Sequence, residues 1–280
     1  MKQLCRACAL LVFAVIAFAG SDSLFAFNPA AHALIAQATH PGVADRIDLR
    51  YGALAPDIAW FVTDPAKWPT AGEDTHGGQF DELNPASWSV AQKAFAQGWR
   101  THSQVDGADF VAHIQWNGQT PGYVVQKAVL LVSQPGVPPE VTVDLAHTVV
   151  EAAIDLLVKE QMDPQIGQKV LLAVLFRSPQ DKALLDSTFV FTTHRTDWLT
   201  LTQTELRFRV LTFQYASALA ASSLANPSPM IDFAQQLAST LYGIQITTQQ
   251  AQAILSAALA LCASDYQDAI QDAINLVNAQ

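Results

Sequence analysis

Apolar residues recur every three or four positions along most of the chain, which is the period of an amphipathic helix. In the second half, proline-rich breaks divide this pattern into eight predicted helices. They cover residues 122–132, 141–161, 166–177, 180–187, 199–224, 230–242, 248–262 and 266–277. The alternation typical of a strand is scarce. Segment 189–193 is its best candidate, and this segment is short. The pattern therefore predicts an all-α fold.

The first half combines helical and polar segments. Asn28 as a cap and Pro29 at the first helical position predict a helix start, and a short helix is expected over 43–49. Segment 63–86 is rich in Gly, Pro, Asp and Thr and reads as a long polar loop, which is unusual in a compact domain unless it has a function. Segment 87–116 reads as one long helix.

The N-terminal residues have the pattern of a signal peptide. Lys2 and Arg6 precede an apolar run over 9–19 that is too short to span a bilayer. Cleavage after Ala19 fits the small-x-small pattern better, whereas cleavage after Ala26 leaves Phe27 as the new N-terminus. We assign 1–26 as signal peptide and 27–280 as a single multi-helix domain, and expect a secreted or periplasmic protein.

Composition limits the function classes. Half of the 280 residues are apolar, enough to bury a sizeable core. The net charge of −10 argues against a stable nucleic-acid partner, since phosphate binding needs lysine and arginine. Removal of the signal peptide leaves Cys262 as the single cysteine, so no internal disulfide is expected.

Segment 98–116 carries most of the candidate chemistry. On a continuous helix, His102, Asp106, Asp109 and His113 fall within about 60° of one another. Both His102 with Asp106 and Asp109 with His113 have the i, i+4 spacing that lets two side chains bind one ion. One such pair alone would be an ordinary surface pair, but two in phase favour a metal site.

A second helix repeats this spacing. His147 and Glu151 stand among apolar residues, and a glutamate in such surroundings is rarely buried without a partner. A partly exposed pair is the alternative, but we favour metal binding. Asp144 and Asp155 are candidates for orienting the imidazoles.

Three further candidates gain weight only in combination. Asp57 and His76 lie in predicted loops, where each alone would be a surface residue. His32 alone would be an ordinary half-buried histidine of the first helix.

Five ordered motifs make the chain resemble a known family, the zinc-dependent bacterial phospholipases C. That family shares its fold and trinuclear zinc site with fungal and plant single-strand-specific nucleases. The motifs lie at Phe27–His32, Gly52–Asp57, Thr75–Gly77, Gly98–His113 and His147–Glu151.

The resemblance implies a ligand set for two to three zinc ions between the helices. One ion would be held by Asp57, His76, His102 and Asp106. A second would be held by His113, His147 and Glu151. The third would take His32, Asp106 as a bridge, and the backbone amino and carbonyl groups of Phe27, which requires cleavage before Phe27.

The chain departs from the family at two positions. The mature N-terminal residue would be Phe27 where the family has tryptophan, although the ligating atoms belong to the backbone. The spacing from Asp106 to His113 is seven residues where the family has six, so Asp109 remains a rival or supporting ligand.

The function implied is that of a phosphoric diester hydrolase of the phospholipase C type, acting through a metal-bound hydroxide with Asp57 as general base. The expected substrate is a phospholipid or another phosphodiester, with transient membrane contact through the rim of the site. A single-strand-specific nuclease is the alternative within the fold, and a non-catalytic secreted metal-binding protein is the alternative of another class. Aromatic side chains near the ligands would suit nucleic-acid bases or lipid headgroups equally: Trp60, Phe61, Trp68 and Trp88.

Overall fold

The computed structural model describes residues 29–77, 80, 87–192, 196–241 and 243–280, and these residues form helices and no strands. The predicted all-α class is therefore confirmed. The predicted signal peptide and Phe27 lie outside the described residues. We number the α-helices α1 (Pro29–Thr39), α2 (Arg46–Leu54), α3 (Trp68–His76), α4 (Val90–His102), α5 (Tyr123–Val132), α6 (Val143–Gln161), α7 (Ile166–Phe176), α8 (Pro179–Leu185), α9 (Trp198–Ala221), α10 (Ser228–Leu241), α11 (Thr248–Cys262) and α12 (Tyr266–Asn278).

Shorter helices of other types complete the chain. They are the 3-10 helices Ala55–Phe61 and Pro65–Lys67 and the π-helices Phe110–Ile114 and Asp186–Thr192.

Helix α6 runs through the main core. Thr142 caps its start, because the threonine Oγ1 accepts a hydrogen bond from the backbone N–H of Leu145 at 3.3 Å. Its buried side chains, including Val150 and Ile154, pack with those of α5, α11 and α1. The same helix carries His147 and Glu151, so the core fixes the position of both.

Helices α2 and α4 cross in direct backbone contact. A Cβ atom on Gly98 would lie 1.9 Å from the carbonyl oxygen of Leu49, and one on Gly52 would lie 2.0 Å from that of Phe95. Only glycine fits at such a crossing. The close approach brings His102, the last residue of α4, next to the end of α2.

Most predicted helices of the second half are confirmed to within a few residues, but three predictions in other segments are wrong. Part of the predicted polar loop 63–86 is helical, as α3 and a 3-10 turn. The strand candidate 189–193 falls largely in the π-helix Asp186–Thr192. The predicted long helix 87–116 begins at Val90 and ends at His102.

The end of α4 has a local cause in its sequence. The hydroxyl of Ser103 accepts hydrogen bonds from the backbone N–H groups of Val105 at 3.1 Å and Asp106 at 3.4 Å, which offers the backbone an alternative to the helix. Gly107 then packs so closely that a Cβ atom would lie 2.5 Å from the Ser103 nitrogen. Helical structure resumes at Ala108, so the segment after the turn has a different rotation from α4.

Within the described ranges, no helix is both long enough and apolar enough to cross a bilayer.

Candidate metal centre

Separate segments of the chain deliver imidazoles and carboxylates to one buried cluster. Helix α1 supplies His32, the 3-10 helix Ala55–Phe61 supplies Asp57, and the ends of α3 and α4 supply His76 and His102. The start of the π-helix Phe110–Ile114 supplies Asp109, that π-helix itself supplies His113, and α6 supplies His147 and Glu151. Three groups among these residues have ligand atoms close enough to share an ion: His32, His102 and Asp109; Asp57, His76 and His102; and His113, His147 and Glu151.

Asp109 lies at the centre of the cluster and is fully buried. Its Oδ1 atom is 3.4 Å from the Nε2 atoms of both His32 and His102. Its Oδ2 atom is 3.5 Å from Nε2 of His76 and from Nδ1 of His113. One carboxylate thus faces four imidazoles, which is the position expected of a bridging ligand.

The other two carboxylates close the two ends of the cluster. Oδ1 of Asp57 is 3.5 Å from Nε2 of His76 and of His102. Oε1 of Glu151 is 3.5 Å from Nε2 of His113. The same oxygen is 2.7 Å from Nε2 of His147, which is a hydrogen-bond distance.

The spacing of these atoms fits ions better than direct hydrogen bonds. Seven nitrogen–oxygen distances in the cluster measure 3.4 or 3.5 Å, longer than the roughly 2.7–2.9 Å of a charge-assisted hydrogen bond. Two ligands at about 2.0–2.1 Å from a tetrahedral zinc ion lie about 3.4 Å apart. These seven pairs therefore have the separation of two ligands on one zinc ion, whereas His147 and Glu151, at 2.7 Å, are at direct hydrogen-bond distance.

Neighbouring groups hold two of the imidazoles in the ligand orientation. Nδ1 of His102 is 2.7 Å from the carbonyl oxygen of Ala53, and Nδ1 of His76 is 3.1 Å from that of Gly72 and 2.9 Å from Oγ1 of Thr75. A carbonyl oxygen can only accept, so each Nδ1 carries the proton. Each Nε2 is then left as a lone-pair donor facing the cluster, as in protein zinc sites.

Buried polar atoms in the cluster lack the hydrogen bonds that burial normally demands. Among the described residues, Asp57 Oδ1, His76 Nε2, His102 Nε2 and both oxygens of Asp109 have no hydrogen-bond partner. Buried polar groups are rarely left in this state. Divalent cations between them would satisfy these atoms together, so the donor set fits the group that the sequence implied.

Burial and neighbouring charges shift the pKa values of the cluster in different directions. Burial, together with the charge of the neighbouring His102, lowers the pKa of His32 to about 4. Burial would lower the pKa of His113 as well, but the charges of Asp109 and Glu151 outweigh it and raise that pKa to about 10. Burial opposes ionisation of Asp109, yet the adjacent His102 and His113 hold its pKa well below the usual range. A cation entering the cluster has to displace the proton on His113.

Asp106, which the resemblance implies as the bridging ligand, lies in the turn that precedes Asp109. Asp106 lies half-buried in the turn that ends α4, where its carbonyl oxygen accepts a hydrogen bond from Gln280 Nε2 at 2.7 Å, and its side chain belongs to none of the three ligand groups. The turn rotates the following segment so that Asp109, three residues later, reaches the position between the imidazoles. The i, i+4 pair of Asp109 and His113 is retained.

The two aspartates predicted to orient imidazoles, Asp144 and Asp155, lie in very different surroundings. Asp144 is exposed. Asp155 is fully buried, and its oxygens accept hydrogen bonds at 2.9 Å from the N–H groups of Ala30 and Ala31 and from the hydroxyl of Tyr215. Asp155 therefore fixes the first turn of α1, and with it the helix that carries His32. Burial raises its pKa to about 7 although these hydrogen bonds act to lower it.

Three side chains of the cluster are partly exposed. The side chains of His113 and His147 are 14% and 16% exposed and that of Asp57 is 9% exposed, whereas those of His32, His102 and Asp109 are completely covered. A ligand can therefore approach along Asp57, His113 and His147.

Of the predicted metal ligands, seven are brought together: His32, Asp57, His76, His102, His113, His147 and Glu151. Comparison of the chain with protein-family models, with curated proteins and with solved structures finds no match.

Proposed function

We propose that the chain is a secreted, zinc-dependent phosphoric diester hydrolase of the phospholipase C type. The observation that carries this proposal is the set of 3.4–3.5 Å separations around Asp109 and Asp57, which suits two to three ions sharing ligands in one cluster. The motif resemblance to zinc-dependent bacterial phospholipases C supports the same reaction.

The metal ions would supply Lewis-acid polarisation of phosphoryl oxygens and an acidified water. Asp109 would bridge ions and offset their charge. His113 and His147 line the accessible side, where a phosphodiester would enter. Asp57 is the carboxylate with residual exposure next to the cluster, so it is placed to orient the attacking water and accept its proton.

The choice of lipid over nucleic acid follows from charge. The chain carries 25 acidic and 15 basic residues, an unfavourable balance for binding a polyanion. The rim of the site would make the transient membrane contact that a phospholipid substrate requires.

A side-by-side assay tests this function. The secreted protein is incubated with a chromogenic phosphorylcholine ester, with phosphatidylcholine and with single-stranded DNA, each with chelator and after zinc is restored. We expect zinc-dependent hydrolysis of the first two. Hydrolysis of the DNA alone would favour the nuclease, and zinc uptake without any turnover would favour a non-catalytic metal-binding protein.

A pair of variants tests the ligand assignment. His147→Ala should lose zinc from the group formed with His113 and Glu151, and hydrolysis should fall with it. His40→Ala is the matched control, because His40 is half-buried outside the cluster and contacts Thr39. Full zinc content in His147→Ala would remove that residue from the site.

A further inference from the structure

We propose that an apolar cavity next to Asp57 binds one hydrocarbon chain of the substrate, so that the preferred substrate is a phosphoester with a single alkyl or acyl chain inserted beside the metal centre. This inference rests on the proposed function and names the substrate class of the same site.

The cavity lies among four helices of the core, α6, α9, α10 and α11. Side chains from each helix form its walls, among them Val149, Leu211, Phe233 and Leu255. Of the 21 residues that line it, only Asp57, Thr148, Thr212 and Tyr215 carry a polar side chain. A space lined in this way favours an apolar ligand, because a polar one would lose its hydrogen bonds to water without replacement.

Two of the polar lining groups are already engaged. The Tyr215 hydroxyl donates to Asp155 at 2.9 Å, and the Thr148 hydroxyl donates to the carbonyl oxygen of Asp144 at 3.3 Å. No lysine or arginine is among the lining residues that the structure describes. The cavity therefore offers little to a nucleotide base and no charge to its phosphates.

The cavity meets the candidate metal centre at Asp57. Asp57 lines the cavity and also belongs to the ligand group with His76 and His102. On α6, the lining residues Thr148 and Ala152 directly follow His147 and Glu151 in sequence. A phosphate held at the cluster would thus have apolar space for its substituent beside Asp57.

The size of the cavity limits how much it can hold. Its volume is about 80 Å³, whereas an apolar cavity of about 150 Å³ accommodates one benzene molecule. About three or four carbon atoms of one chain fit at a time, and two chains do not fit side by side. The rest of a longer chain would remain outside the cavity.

A binding experiment tests the cavity without relying on catalysis. The full-length secreted protein, with chelator present, is titrated with 1-alkanols from ethanol to decanol and followed by ligand-observed NMR. Each buried methylene should raise the affinity roughly fourfold, and the increments should flatten after about three or four carbons. Equal affinities along the series, or increments that continue to decanol, would overturn the proposal.

A pocket-filling variant locates the binding. Ala251 lines the cavity and is buried, so Ala251→Leu should abolish the increments by occupying the space. Ala253→Leu is the control, since Ala253 is exposed on the same helix and does not line the cavity. If Ala251→Leu does not fold by circular dichroism, Ala234→Leu on α10 takes its place. If the affinity still rises with each methylene in the filled variant, the alkyl chain of the alkanol binds elsewhere.

An activity series separates this inference from the proposed function. Monomeric p-nitrophenyl alkyl phosphodiesters, methyl to octyl, are assayed with zinc. We expect kcat/KM to rise with chain length in the unmodified protein and in Ala253→Leu, and to stay flat in Ala251→Leu. Hydrolysis that is independent of chain length would refute the chain pocket and leave the phosphodiesterase standing. No hydrolysis of any member, with alkanol increments intact, would refute the phosphodiesterase alone.

Discussion

Asp109 should be the carboxylate that holds the metal centre together, and Asp106 should be dispensable for it. Replacing Asp109 with asparagine keeps the size of the side chain but removes its charge and one ligand oxygen. Four imidazole nitrogens lie 3.4–3.5 Å from the two oxygens that would change. No other described carboxylate contacts as many of the histidines in the cluster.

The magnitude follows from burial. Asp109 is 0% exposed, so water does not screen its interactions. Removing one partner of a buried ion pair typically destabilises a protein by about 3–5 kcal/mol, which corresponds to roughly 150- to 5,000-fold in an equilibrium constant. Loss of a group that merely orients a metal ligand weakens metal binding by about 10–100-fold. We therefore expect Asp109→Asn to lose at least one zinc ion per chain and to bind the remaining zinc more weakly.

The assay is elemental analysis of dialysed protein, together with circular dichroism to confirm folding. Asp106→Asn is the matched control, because Asp106 is half-buried in the adjacent turn and belongs to no ligand group. It should retain the zinc content and activity of the unmodified protein. The reverse pattern, with zinc retained in Asp109→Asn and lost in Asp106→Asn, would refute the reasoning.

Other properties of the fold are equally open to measurement. Zinc uptake at pH 7 should release at least one proton and become tighter as pH rises, because His113, with a pKa of about 10, must lose its proton to coordinate. Calorimetry in buffers of different ionisation enthalpy measures the proton release. A binding enthalpy that does not depend on the buffer would contradict this prediction. Burial, and after it the contact with Asp48, raises the pKa of Asp181 from 3.8 to about 10. Between these two pH values the folded state binds one proton more than the unfolded state. The free energy of unfolding should therefore fall as pH rises through that range, by at most about 1.4 kcal/mol per pH unit. Asp181→Asn should flatten that slope in urea titrations from pH 5 to 9, and an unchanged slope would assign it to other groups. Gly98→Ala should destabilise the fold by about 3 kcal/mol or more, because its Cβ would overlap the α2 backbone. Gly42→Ala is the control: a Cβ there has no atom within 4 Å, so its free energy of unfolding should change by less than about 0.5 kcal/mol. Equal unfolding midpoints for the two variants would contradict the close crossing of α2 and α4.

The helical class was predictable because it depends on a strong, repeated signal. The apolar period persists through the second half of the chain, and prolines mark the breaks between helices. Both i, i+4 pairs on single helices, Asp109 with His113 and His147 with Glu151, were also predictable, because their geometry is local.

The central position of Asp109 could not be read from a continuous helix, because it depends on a break that interrupts the helical period. A continuous helix places Asp106 beside His102, and the family spacing supports the same choice. The competing signal was Ser103 followed by Gly107, a hydroxyl able to bind the backbone and a residue without a side chain at a tight turn. Read together, these residues predict the turn that moves Asp109 into place.

Other features could not be read from the sequence because they depend on contacts between distant segments. Asp155 holds the start of α1 across 124 and 125 positions of the chain. The apolar cavity has walls on four helices, none of which shows it alone. Helix α3 was not predicted, because its residues Trp68–His76 are rich in turn formers and have a weak helix propensity. Its packing against the 3-10 helix Ala55–Phe61 outweighs that weak propensity.

Anomalous diffraction from crystals of the protein at the zinc edge tests the metal centre most directly. We predict two or three peaks inside the cluster, with Asp109 between them and His113, His147 and Glu151 around one of them. Zinc-loaded crystals with no peak among these residues, or with a peak ligated by Asp106 and not by Asp109, would contradict the assignment.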